Sequence, residues 1–316
     1  MKKLRAANVG SGGESTNTFA GAITLQAPAT VEQVVSVPTS ELVDFTGQVD
    51  LGSHVLTVAA GDAVFFFGQV GRFDAGTGTA QLVQTSGVSS LRGSLDNPRL
   101  AATVNGGDLV LVKASSPTVH ALGGGLPAGT TALTVAVGTT VQVSADNEPS
   151  ADQIADTASV MVNGTMNMVA ALETLDALNG SGTVENLFGS TLTLGAGNGI
   201  GVFTGSLSGS LSLSKIGTGT QTVAGGTMSG ALLVSGGTLN VTGTFTGNST
   251  ATVQSSATLA GSGSVRNLTL QSGSSLAPGN ATISGSIGTL TATQSGANTT
   301  IWNPGATARF HLSTTD

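Results

Sequence analysis

Four aspartates in the first half of the chain, Asp44, Asp50, Asp62 and Asp74, are the side chains best suited by type and spacing to do chemistry. Paired carboxylates on one face act as acid and base in glycoside hydrolysis, and an Asp cluster with Lys or Arg serves polysaccharide elimination. A second acidic group, Asp146, Glu148, Asp152 and Asp156, surrounds Pro149 and offers carboxylate oxygens of the kind Ca²⁺ takes. The ordered spacing of a calcium loop is absent there, which favours a solvated loop. His54, His120 and His311 are isolated in sequence, and with no cysteine a zinc site needs convergence in space. No Gly-x-Ser-x-Gly precedes a helix with His and Asp in order, so a hydrolase triad is unsupported. Residues 180–316 hold only Glu185, Lys215, Arg266, Arg309 and Asp316 as charged groups, too few for a paired-carboxylate site. The expectation is that no residue is catalytic, binds a cofactor or holds a metal, and that no cofactor is used.

The other candidate features have plain readings. Phe65-Phe66-Phe67 is the one aromatic concentration; in a strand Phe65 and Phe67 face one way and Phe66 the other, giving two core rings and one at the surface. Trp302 is expected to cover the end of a core. Gly10-Ser11-Gly12-Gly13 and Gly123-Gly124-Gly125 lack the Lys-Ser/Thr of a phosphate loop and read as turns. Thr-x-Thr triplets at 191–193, 218–220, 242–244 and 291–293 would suit a water- or ice-ordering face, but their spacing is irregular and Thr is a good strand residue anyway.

The elements that carry these residues are short and apolar. Segments of β-formers recur along the chain, each closed by Gly, Asn, Asp or Ser-Gly, residues that turn a backbone at low cost. Strands of about three to five residues with turns every 6 to 10 suit stacked coils better than a sandwich, whose strands run nearer 5 to 8. Residues 151–158 and 169–178 have helical propensity, yet Asn163-Gly164 and Asn179-Gly180 punctuate them, and so short a helix has little stability of its own.

Repeats reinforce that reading. Gly-Ser-Gly-Thr-Val-Glu-Asn-Leu at 180–187 returns 81 positions later as Gly-Ser-Gly-Ser-Val-Arg-Asn-Leu at 261–268, and residues 56–64 return after 77 at 133–141. Both intervals are near four units of about 19 to 20 residues, the length of one β-solenoid coil. Charged residues are 9% of the chain, so hydroxyls and backbone must carry solubility; 39% apolar residues suffice for a narrow core. The net charge of −7 and the lack of any basic run beyond Lys2-Lys3 exclude the electrostatic footprint of a nucleic-acid binder. No apolar run of 18 residues is present, so no membrane-spanning helix is expected, and Met1-Lys2-Lys3-Leu4-Arg5 is not followed by the apolar core of a signal peptide.

From about Asp152 onward a series of motifs falls in order: Ala155-Asp156-Thr157-Ala158-Ser159-Val160-Met161-Val162-Asn163-Gly164-Thr165, then Leu178-Asn179-Gly180-Ser181-Gly182-Thr183-Val184, then Lys215-Ile216-Gly217-Thr218-Gly219-Thr220, then Ser235-Gly236-Gly237-Thr238-Leu239, and Leu276-Ala277-Pro278-Gly279-Asn280 with Gly288-Thr289-Leu290 beyond it. This half resembles the autotransporter-associated β-strand repeat family of bacterial surface proteins. Val169-Ala170-Ala171 departs from the family's polar turn, and residues 19–150 match only as generic coils.

The resemblance implies a right-handed, single-stranded parallel β-helix, an all-β β-solenoid of about 15 coils of roughly 19–20 residues. The expected organisation is a flexible leader at 1–18, N-terminal β-helix coils at 19–150 and repeat β-helix at 151–316, truncated at its C-terminus. The implied role is a non-enzymatic passenger, extracellular or on the bacterial surface, acting as adhesin stalk or matrix scaffold. Glycans or other surface proteins are the expected partners. The alternatives are a carbohydrate-active β-helix enzyme, lyase or glycosidase, using Asp44, Asp50, Asp62 and Asp74, and a passive ice- or water-ordering surface. The β-prone segment Arg309-Phe310-His311-Leu312 adds an expectation of end-to-end self-association.

Overall fold

The computed structural model describes residues 2–6, 16–33, 42–114, 119–144, 152–169, 171–279, 287–294 and 300–309. Among them every regular element is a β-strand, and the strands pair in parallel. Among these residues no helix is long and apolar enough to cross a membrane. Tertiary pairing overrides the helical propensity near 151–178: Ile154 bridges Leu122, and Leu172–Leu175 and Ala177–Asn179 are strands. The chain divides into two compact units, Met1–Ala171 and Leu172–Asp316.

In the first unit two inward rows run from strand to strand. Leu56, Leu82, Ala102, Leu133 and Val160 stand in register, as do Phe45, Phe67, Leu91, Leu111, Val143 and Met168. All are buried, so each strand stacks its apolar face on the last. Phe19, Phe45 and Phe67 stack ring on ring at 5.1 and 5.0 Å between centroids. Phe65 and Phe67 are in the core, while Phe66 is half-buried beneath Arg92, whose guanidinium lies 3.9 Å from its ring centre.

Several strands are longer than the sequence suggests: Val55–Gly71 has 17 residues and Ala80–Gly93 has 14. They turn corners at shifts of register, pairing again on the far side: Ala59 is opposite Ser86, and Val64 opposite Val88. Gly87 makes one such corner; its φ is +68°, and a Cβ there would lie 2.5 Å from Ala60 Cβ and 2.6 Å from Gly61 O. Lys2–Ala6, read as leader from sequence, is a strand paired with Ala29–Gln33, whose backbone would otherwise present an edge there.

The second unit has rows of its own, one through Leu192, Leu213, Leu232, Ala251 and Leu268, and one through Gln221, Leu239, Leu259 and Leu276. The recurring Asn-Leu of the eight-residue repeat has a visible task at its second copy. Asn267 turns the chain at φ +51° and donates from Nδ2 to Ser249 O at 2.6 Å, and Leu268 then enters the core. Trp302 follows Leu270 in register, half-exposed, with Nε1 donating to Ala306 O at 3.1 Å. Phe310, His311 and Leu312 of the proposed sticking segment lie outside the described residues.

Candidate functional site

The four aspartates named from sequence are each engaged locally or lie beyond description. Asp44 accepts from Arg92 Nη2 at 2.6 Å. Asp74 is clamped by Arg72, which holds its carboxyl below the ordinary carboxylate range, helped by the Gly76 amide. Asp50 Oδ1 accepts from the amides of Gly52 at 2.9 Å and Phe73 at 3.3 Å, fixing a turn. The side chain of Asp62 is outside the described part, as are Asp146, Glu148 and His311. His54 sits at a turn, its amide donating to Leu51 O at 2.9 Å.

Three segments far apart in sequence do meet around one groove, of about 370 Å³, lined by Asp96, His120, Gly124, Gly125, Ala155, Asp156 and Thr157. Buried Asn97 ties the first to its neighbours: Oδ1 accepts from Val70 N at 3.0 Å, and Nδ2 donates to Ala121 O at 3.0 Å. Backbone bonds add Asn97 N to His120 O and Arg99 N to Gly124 O, and Ala121 and Leu122 both donate to Gln153 O. Residues 94–99, 119–125 and 152–157 are thus held by hydrogen bonds that solvent does not contest.

Within the groove Asp96 Oδ1 accepts the His120 amide at 2.9 Å and stands 3.7 Å from His120 Nδ1, an ion-pair distance. Asp96, with Asp152 and Asp156 adding to it, raises the imidazole above its ordinary value against the opposing effect of burial. Gly124 must lack a side chain, because a Cβ would lie 2.8 Å from Asp96 Oδ2. The arrangement puts an oriented imidazole, two carboxylates and the Thr157 side chain around bare backbone. It can bind hydroxyl-rich ligands and move a proton. Among the described residues no group of three or more His, Asp or Glu is placed to hold a metal ion.

Sequence reasoning took His120 as isolated and Asp156 as part of a loop, and it did not single out Asp96. No local signal could have joined them, since the contacts are made by the stacking of segments rather than by spacing.

Each unit also buries a lysine. Lys113 Nζ donates to the carbonyls of Gly68, Arg92 and Leu95 at 2.7, 3.0 and 2.7 Å. Lys215 Nζ donates to Ile216 O, with Gly217 O and Gly236 O at 3.5 Å. Burial pushes both ammonium groups down to about 8, partly offset by Asp96 and Asp176 respectively. These side chains hold turns, and neither lines the groove of Asp96 and His120. A second groove, about 440 Å³, runs past Ser181, Thr183, Thr204, Ser206, Ala224 and Gly225, with hydroxyls and backbone as its polar groups and no charged side chain along it. Comparison with family models, with characterised proteins and with solved structures gives no match to the chain.

Proposed function

We propose that the chain is a right-handed parallel β-helix of about 15 coils that serves as a non-enzymatic structural passenger at a bacterial surface, an adhesin stalk or matrix scaffold of the autotransporter-repeat kind. The observation that carries this reading is the use made of the buried polar side chains. Lys113, Asn97, Gln153 and Gln221 direct their polar atoms at backbone groups of other segments, and Lys215 directs its ammonium chiefly at the carbonyls of the turn that follows it. A body built this way keeps its form with few charges, as a spacer must. The ordered motifs from Asp152 onward support the family assignment, and the stacked parallel rows support the solenoid.

Display of the chain on a bacterium that lacks adhesins tests the role. Adherence or cell–cell aggregation should rise several-fold, with no turnover of neutral or uronate glycans by the purified chain. Glycan turnover abolished by Asp44→Asn would overturn the proposal.

A further inference from the structure

We infer that the groove between Asp96, His120, Asp156 and Thr157 is a binding subsite for an uncharged saccharide. The inference stands on the groove itself and does not depend on the scaffold role. Its volume, about 370 Å³, lies in the lower part of the range of small-ligand sites, about 300–1,000 Å³.

The lining decides the ligand class by elimination. No lysine or arginine lines the groove, and its one basic group, the His120 imidazole, is already engaged by Asp96, so a phosphate or a uronate would meet the Asp96 and Asp156 carboxylates with little compensation. Ala155 is its one apolar side chain, which leaves nothing for a hydrophobic ligand to bury. Asp96 and Asp156 do not form a metal-holding group with His120. An ammonium ligand would find acceptors, but it would face an imidazole that Asp96 keeps prone to protonation.

A neutral sugar ring uses all the groups present. A carboxylate accepts from two neighbouring hydroxyls at once, an imidazole donates or accepts, and a threonine hydroxyl does both. The bare backbone at Gly124 and Gly125 lets a sugar ring come close to the main chain. Preorganisation is the second part of the argument. His120 is held at its amide by Asp96 Oδ1 and at its carbonyl by the Asn97 amide, and its side chain is only 13% exposed. Those two bonds fix the backbone of His120, while the low exposure and the Asp96 carboxylate at 3.7 Å restrict the imidazole, and restricted groups lose little entropy when a ligand arrives.

The test uses the whole chain, isotope-labelled, titrated with tetrasaccharides of neutral glucose, galactose and mannose, with tetragalacturonate and with a glucosamine tetramer. The expected result is that at least one neutral tetrasaccharide moves the amide signals of residues 96, 120, 124–125 and 156–157. Asp156→Asn and Thr157→Ala should each weaken that binding, the first by about tenfold, as for one hydrogen bond to a charged group. Both side chains are exposed, so both variants should fold, with circular dichroism as the check. Absence of shifts with every neutral probe, preference for the uronate or glucosamine tetramer, or unchanged binding in two folded variants would overturn the assignment.

Discussion

Gln153 closes both backbone hydrogen bonds of Lys113, its Oε1 accepting from Lys113 N at 2.8 Å and its Nε2 donating to Lys113 O at 2.9 Å. A side-chain amide thus does the work of a neighbouring strand. The second unit repeats the device: Gln221 Oε1 accepts from Leu178 N at 3.1 Å, and Nε2 donates to Leu178 O at 2.8 Å. Both glutamines are fully buried. Gln153→Leu or Gln221→Leu leaves one buried donor and one buried acceptor unpaired, at about 1–3 kcal/mol each. Each variant should therefore lose about 2–6 kcal/mol of stability in denaturant melts. A loss under about 0.5 kcal/mol would mean that the backbone finds other partners.

Gly124→Ala forces a Cβ against the Asp96 carboxylate, which cannot retreat freely because it also holds the His120 amide. The expected cost is about 1–3 kcal/mol, with His120 titrating closer to its ordinary value as Asp96 moves off. Nuclear magnetic resonance titration of the imidazole and thermal melts together check this; an unshifted imidazole would separate Gly124 from the pair.

How much of this was legible in the sequence depends on the range of the interaction. Rows such as Leu239–Leu259 follow from short alternating segments and a coil-length repeat, both local signals. The buried lysines were also written locally, though unread. Leu109-Val110-Leu111-Val112-Lys113 and Leu211-Ser212-Leu213-Ser214-Lys215 alternate with period two, and the period carries each lysine onto the inward face behind two leucines. The longer strands were missed because a glycine such as Gly87 reads as a stop, whereas here it bends a strand whose pairing resumes at the next residue. The groove was illegible because Asp96, His120 and Asp156 share no motif and meet only after three segments have been laid side by side.

The raised imidazole of His120 gives stability a dependence on pH. Its folded value lies above the unfolded one of about 6.5, so its contribution is complete below that and is lost as pH rises through the folded value. Asp96, Asp152 and Asp156 are the carboxylates facing it, and Asp96 contributes most. The difference in melting temperature between the parent chain and His120→Asn should therefore be larger near pH 6 than near pH 8. An equal difference at both would show that the imidazole contributes only by packing.

The buried lysines give the opposite slope at higher pH. Their folded values of about 8 lie below the 10.5 of an exposed lysine. Between those limits the unfolded chain still binds protons that the folded chain has released, so raising the pH favours folding. The window is otherwise quiet: the chain has no Tyr and no Cys, and its other lysines are Lys2 and Lys3. Stability should climb from about pH 8 to about pH 10.5 and level off above, since the charged form bears the desolvation cost. Lys113→Met with Lys215→Met should flatten that climb. At neutral pH Lys113→Met should be the costlier single change, because it orphans three carbonyls bound at 2.7–3.0 Å, whereas two of the Lys215 contacts are at 3.5 Å. Melts of the parent and the double variant across this window decide the matter. Parallel curves would mean that both ammonium groups keep their protons inside the fold, with the carbonyl bonds outweighing burial.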